Sequence, residues 1–160
     1  MGDEVDALVE AWRTQRADLA LEPMQVWSRI DRLARVLADR RKVVFQSQGI
    51  EGWEFDVLAA LRRAGAPHRL TPGQLVRETY VSSGTMTHRV DRLVERALVT
   101  RASDPSDGRS VLVELTPVGL KVVDAALEGL VTVEAQLLSG VSDTKRDQLS
   151  DELRRLLSGC

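Results

Sequence analysis

Two helix-start signals stand back to back in TPGQLVRETYVSSGTMTHRV, residues 71–90, and two short β-type runs follow them around a cluster of turn residues. Few folds accept that order. Thr71 fits an N-cap, Pro72 the first helical position and Gln74 the reciprocal member of a capping box, so a short helix starts here and ends by Tyr80. A three-residue turn leads to Ser82 or Ser83 as the next N-cap, and apolar spacing carries a second helix to about Arg96. Beyond it, 98–101 (LVTR) and 110–115 (SVLVEL) read as strands, the latter turning Val111, Val113 and Leu115 to one face. Between them ASDPSDG is turn chemistry throughout. Two short helices joined by a tight turn and followed by a β-hairpin form a winged helix-turn-helix.

Helical periodicity surrounds this centre. Val5, Leu8, Val9, Trp12 and Leu19 mark a first amphipathic helix, and Pro23 suits the start of a second. Its stripe of Val26, Trp27, Ile30, Leu33 and Leu37 continues toward Phe45 until Gly49 closes it in a left-handed conformation. A third helix covers about Trp53 to Ala64 and ends at Gly65. After the hairpin, Thr116 and Pro117 repeat the cap-then-proline start, and Leu120, Val123, Leu127, Leu130, Val133 and Leu137 form a stripe broken at Gly140. Ser142 caps a last helix bearing Leu149, Leu153, Leu156 and Leu157. The expected fold is mainly α with a small β-hairpin wing, one domain over residues 1–160. The winged helix-turn-helix occupies 53–116, and the helical parts 1–50 and 117–160 carry more apolar stripe than one small chain needs, which predicts a homodimer.

The chain's 160 residues are 43% hydrophobic and 29% charged, enough for a packed core. Only two histidines are present and the single cysteine is Cys160, so neither a metal cluster nor a disulfide framework is expected. With no glycine-rich phosphate loop or nucleophile elbow, no catalytic residue and no cofactor is assigned. No apolar run approaches membrane-spanning length and the N-terminus is acidic, which makes a cytoplasmic location the expectation. A formal charge of −2 argues against a nucleic-acid partner only until it is resolved along the chain. Residues 62–109 hold nine arginines against five acids, a local +4 that leaves −6 elsewhere.

Plotted at 100° per residue, the helix from Ser83 turns Met86, Val90, Leu93, Val94 and Ala97 to the core and Thr85, His88 and Arg92 away from it. A hydroxyl, an imidazole and a guanidinium suit the edges of bases in a major groove, and Ser82, Ser83 and Thr87 at the helix start suit phosphates. Arg109 at the hairpin tip can reach a minor groove, with Asp107 orienting it. A lone helix with these residues is a solvated, capped surface; the partner helix and the hairpin tip the balance toward double-stranded DNA. Two other classes stay open, an effector-independent architectural DNA binder and a winged-helix protein-interaction module.

The stretch from Leu70 to Asp124, with VDRLVERALV, DPSDGR and LTPVG, resembles the MarR family of bacterial transcription regulators, and the flanking helices match in order and length. The resemblance implies a homodimer on a pseudopalindromic operator, recognition helices in successive major grooves and wings in the flanking minor grooves. One departure is Ala97, where the family usually has glycine; a left-handed alanine costs about 1 kcal/mol, which leaves open whether Ala97 alters the turn there. The long N-terminal helix is similar to that of the urate-responsive subset, a resemblance that implies an anion pocket at Trp12, Asp56, Arg89 and Arg101 and release of DNA by a small anionic effector. Each has an alternative: Trp12 as core, Asp56 as a helix-dipole partner, Arg89 and Arg101 as phosphate contacts.

Overall fold

The computed structural model of the chain describes residues 2–103 and 111–159. It divides into two compact units, residues 1–41 and 42–160. The first contains α1 (Glu4–Gln15) and most of α2 (Glu22–Ser47), which continues into the second. The Asp3 carboxylate caps α1 by accepting from the Val5 and Asp6 N–H groups, and Asp6 accepts in return from the Asp3 N–H at 2.8 Å. Val5 and Val9 pack with Leu21 and Met24 in a small core of their own. Arg29 binds both Asp3 and Asp6 at 2.8 Å, and its hydrogen bond holds the Asp3 carboxyl below the usual carboxylate range. Leu19 lies beyond the end of α1 and is exposed, so the first helix is shorter than its apolar spacing predicts.

The second unit runs α3 (Gly52–Arg63), β1 (Arg69–Leu70), α4 (Pro72–Thr79), α5 (Ser83–Glu95), β2 (Val99–Ser103), β3 (Val111–Leu115), α6 (Pro117–Leu137) and α7 (Asp143–Ser158). Gly49 and Gly65 close their helices at φ 67° and 76°, the left-handed turns expected of them. The sheet has the order β1-β3-β2 and is antiparallel, with Val99 opposite Leu115 and Ser103 opposite Val111. Its third strand, β1, went unpredicted: two residues carry no periodicity, and Arg69 and Leu70 become a strand only because β3 offers Glu114 and Val113 as partners.

Val57, Leu58 and Leu61 of α3, Leu75 of α4, Met86 and Leu93 of α5, and Val113 of β3 are wholly or almost wholly buried in one core, which Val123 and Ala126 of α6 close. Phe45 and Phe55 stack at 4.8 Å between ring centroids, and Arg62 donates to Asp124 at 2.8 Å, tying α3 to α6 and raising the arginine pKa. The α6 stripe is only partly inward, since Val123 and Leu130 are buried while Leu127 and Leu137 are exposed. In β3 the expected alternation fails at its start, where Leu112 is buried and Val111 is not. No residue of α7 is buried, and Leu149, Leu153, Leu156 and Leu157 all face outward. Among the described residues no helix is long and apolar enough to cross a membrane.

Candidate nucleic-acid interface

The helix-turn-helix is built from local bonds that its sequence encodes. Thr71 Oγ1 accepts from the Gln74 N–H at 3.2 Å, Gln74 Oε1 accepts from the Thr71 N–H at 2.7 Å, and Pro72 occupies the first turn where its missing N–H costs nothing. Leu75 anchors α4 in the core. The turn is made by Tyr80 at φ 53° and ψ 40°, a left-handed residue with its side chain 94% exposed. Ser82 is extended and its Oγ accepts from the Thr85 N–H at 3.2 Å, starting α5 where a serine cap was expected.

On α5 the inward residues are Met86, Val90 and Leu93. Val94 and Ala97, which the helical plot assigns to the core, are exposed: Val94 lies at the edge of the inward stripe of Met86, Val90 and Leu93, and Ala97 falls beyond the helix end at Glu95, where its left-handed backbone breaks the period. Ser82, Ser83, Thr85, Thr87 and His88 are exposed together. Their hydroxyls are ordered: Ser82 Oγ and Thr85 Oγ1 lie 2.8 Å apart, and Thr87 Oγ1 donates to the Ser83 carbonyl at 3.1 Å. A Cβ added to Gly84 would meet nothing within 4 Å, so the first turn of α5 faces open space. Helix N-termini of this kind attract anions through their outward N–H groups and dipole.

The shoulder of α5 carries three arginines at helical spacing, Arg89, Arg92 and Arg96, and the start of α3 receives all three. Arg89 and Arg92 lie over the Trp53 ring, 5.6 and 5.2 Å from its centroid. The Glu51 carboxylate accepts from the indole N–H at 2.8 Å and lies 3.9 Å from Arg92. Arg96 binds Glu54 at 2.5 Å and donates to the Gly49 carbonyl at 2.6 Å. Glu54 is only 1% exposed, and its second bond comes from the Glu51 N–H at 2.8 Å, so its charge is fully partnered. Glu51, Trp53, Glu54 and Arg96 were not singled out from sequence. The signal available was the facing spacing, arginines at i, i+3 and i+7 opposite acids at i and i+3.

Ala97 adopts φ 55°, so the corner takes the left-handed turn despite the alanine. Its corner is held from outside. Thr116 Oγ1 donates to the Ala97 carbonyl at 2.8 Å, the Thr116 N–H donates to the Leu98 carbonyl at 3.1 Å, and Thr116 Oγ1 in turn caps the Gly119 N–H at 2.9 Å. A Cβ on Gly119 would stand 2.0 Å from the Leu98 oxygen, so the glycine of LTPVG is what lets α6 approach the corner.

The remaining predicted residues are scattered over different elements. Asp107 and Arg109 lie outside the described residues. Arg101, on β2, pairs with Asp91 of α5 at 2.6 Å, and Asp56 is exposed on α3. Trp12 belongs to the first unit and is 46% exposed, which removes the plain core reading of that side chain.

Known proteins are similar to this chain in sequence and fold. The MarR family model matches residues 48–110. The HTH-type transcriptional regulator PecS of Dickeya dadantii is 34% identical over 153 residues, 96% of this chain and 92% of PecS. Among solved structures, a mutant MarR from E. coli complexed with operator DNA aligns with TM-score 0.72 at 24% identity, covering 86% of this chain and 96% of that one. BpsR of Bordetella bronchiseptica, described by regulation of its DNA binding by 6-hydroxynicotinic acid, aligns with TM-score 0.60 at 26% identity over 80% of this chain and 98% of BpsR. Identity of that order across nearly the full length of PecS, joined to the capped helix pair and the sheet that follows it, means that the chain belongs to the MarR family of transcriptional regulators.

Proposed function

We propose that the chain is a homodimeric repressor that binds a pseudopalindromic operator and is released from it by a small anionic ligand such as urate. Thr85, His88 and Arg92 read base edges in the major groove, Ser82, Ser83 and Thr87 hold phosphates, and Arg109, oriented by Asp107, enters the minor groove. The observation that carries the DNA reading is the exposed hydroxyl-rich first turn of α5 on a helix whose other face buries Met86, Val90 and Leu93. The outward leucines of α7 support pairing with a second copy.

For the ligand, the supporting observation is the Arg101–Asp91 pair. An anion captured by Arg101 competes with Asp91, which is part of the recognition helix, and so acts on the element that reads DNA. Arg89 and Asp56 are the further ligand residues of the second unit. DNA and ligand then oppose each other by reciprocal coupling. BpsR, whose DNA binding is regulated by an aromatic acid, is a relevant parallel.

Selection of bound sequences from a random DNA pool, repeated with urate and related anions, tests both halves. A palindrome bound at least ~10³-fold over bulk DNA is the expected result. Arg92→Ala should lose about 1–3 kcal/mol and relax specificity at one position. Equal affinity for all sequences overturns the operator reading, and operator affinity unchanged by every anion overturns the ligand half alone.

A further inference from the structure

Trp53 is the second residue of α3 and packs against the main core, while its ring is the surface on which both Arg89 and Arg92 rest. The Glu51 carboxylate fixes the rotation of that ring through the indole N–H at 2.8 Å. We propose that Trp53 is a positioning residue for DNA recognition, a platform that presets Arg92 of the recognition helix before it meets the nucleic acid, with Arg89 resting on the same ring. The proposal rests on the reading above that Arg92 contacts DNA.

The physical argument concerns entropy and geometry. An exposed arginine samples many rotamers, and ordering it on a partner weakens binding by whatever freedom is lost at that moment. Stacking on a tryptophan face removes part of that freedom beforehand while leaving the N–H edges of the guanidinium available, because the attraction uses the plane of the group and hydrogen bonding uses its rim. Arg92 remains 46% exposed in this arrangement, so the stacked group keeps access to solvent and therefore to a ligand. Glu51 stands 3.9 Å from Arg92 but 2.8 Å from the indole nitrogen, so its principal bond is to the ring and it does not bury the arginine.

The test is a double-mutant cycle on operator binding with the full-length protein. Trp53→Leu should weaken binding about fivefold, the ordering cost of one arginine side chain, and Trp53→Phe should restore most of it. Arg92→Ala combined with Trp53→Leu should bind no more weakly than Arg92→Ala alone. Full additivity of Trp53→Leu with Arg92→Ala, or wild-type affinity in Trp53→Leu, overturns the proposal. If Arg92→Ala itself binds like wild type, the underlying assignment of DNA contacts has failed instead. A second measurement does not depend on the leucine variant folding. With Trp12 and Trp27 replaced by Phe, the emission of Trp53 should change when either arginine is replaced by alanine, and unchanged emission in both would show that neither covers the ring.

Discussion

The two ends of α5 are built on opposite plans. At its start one serine caps the helix, the first turn faces open space, and the hydroxyl and imidazole side chains stand outward. At its end Arg96 is bonded to a buried glutamate and to a backbone carbonyl, Ala97 is bent into a left-handed turn, and Thr116 and Gly119 close on the next peptide. A helix that reads a duplex needs a fixed direction and an unobstructed tip. Here the rigid end supplies the direction through contacts distant in sequence, and the open end supplies the tip through bonds to its own neighbours.

The largest effect is expected where the clamp admits no side chain at all. Gly119→Ala puts a carbon 2.0 Å from the Leu98 carbonyl oxygen, and because that oxygen is backbone, α6 or the corner must move. The loss should exceed about 3 kcal/mol, at the upper end for overpacking a core. Urea denaturation measures it. Near-wild-type stability would mean that the corner is loose and that the contrast between the two ends is false.

Next comes the pair of variants that compares the ends directly. Arg96→Ala leaves Glu54 buried with only the Glu51 N–H as partner. Breaking a fully buried pair costs about 3–5 kcal/mol, and because Arg96 is 39% exposed the expected loss is nearer 2. Ser82→Ala removes a cap on the exposed end and should cost about 1 kcal/mol. Equal losses, or a larger one at Ser82, would reverse the assignment of the rigid end. Operator affinity sharpens the comparison: per unit of stability lost, Arg96→Ala should affect binding through helix direction, with the Trp53 emission reporting the displaced shoulder.

This division also explains what could be read from the chain. The caps at Thr71, Ser82 and Thr116 and the inward set Met86, Val90 and Leu93 were legible because each rests on bonds or spacing within a few residues. The Arg96–Glu54 bond joins residues 42 apart, and although arginines and acids recur at matching spacing on the two helices, nothing in that spacing says that the helices face each other. The same holds for Trp53, an aromatic in an apolar helix start whose arginines come from another element. β1 is too short to have a pattern, Val94 stands at the edge of the inward stripe of α5, and Ala97 lies past the helix end, where the helical period no longer applies. Periodicity reports the face of an ideal helix, whereas burial also requires a neighbour at that height.

The smallest effect, and the most discriminating, belongs to Ala97. Its left-handed backbone costs an L-residue on the order of 1–2 kcal/mol, which glycine would recover. Glycine also gives the unfolded chain more freedom, a loss of about 0.4–1 kcal/mol, so Ala97→Gly should gain between nothing and about 1.6 kcal/mol. The gain appears only if the corner is held in its present shape by Thr116 and Gly119, because a corner able to relax would already have shed the strain. A thermal midpoint raised by a few degrees, with operator affinity unchanged, therefore supports a rigid clamp built independently of the alanine. A midpoint lowered by the substitution would show that the turn is not strained and that the left-handed φ of 55° is not what fixes the exit from the helix.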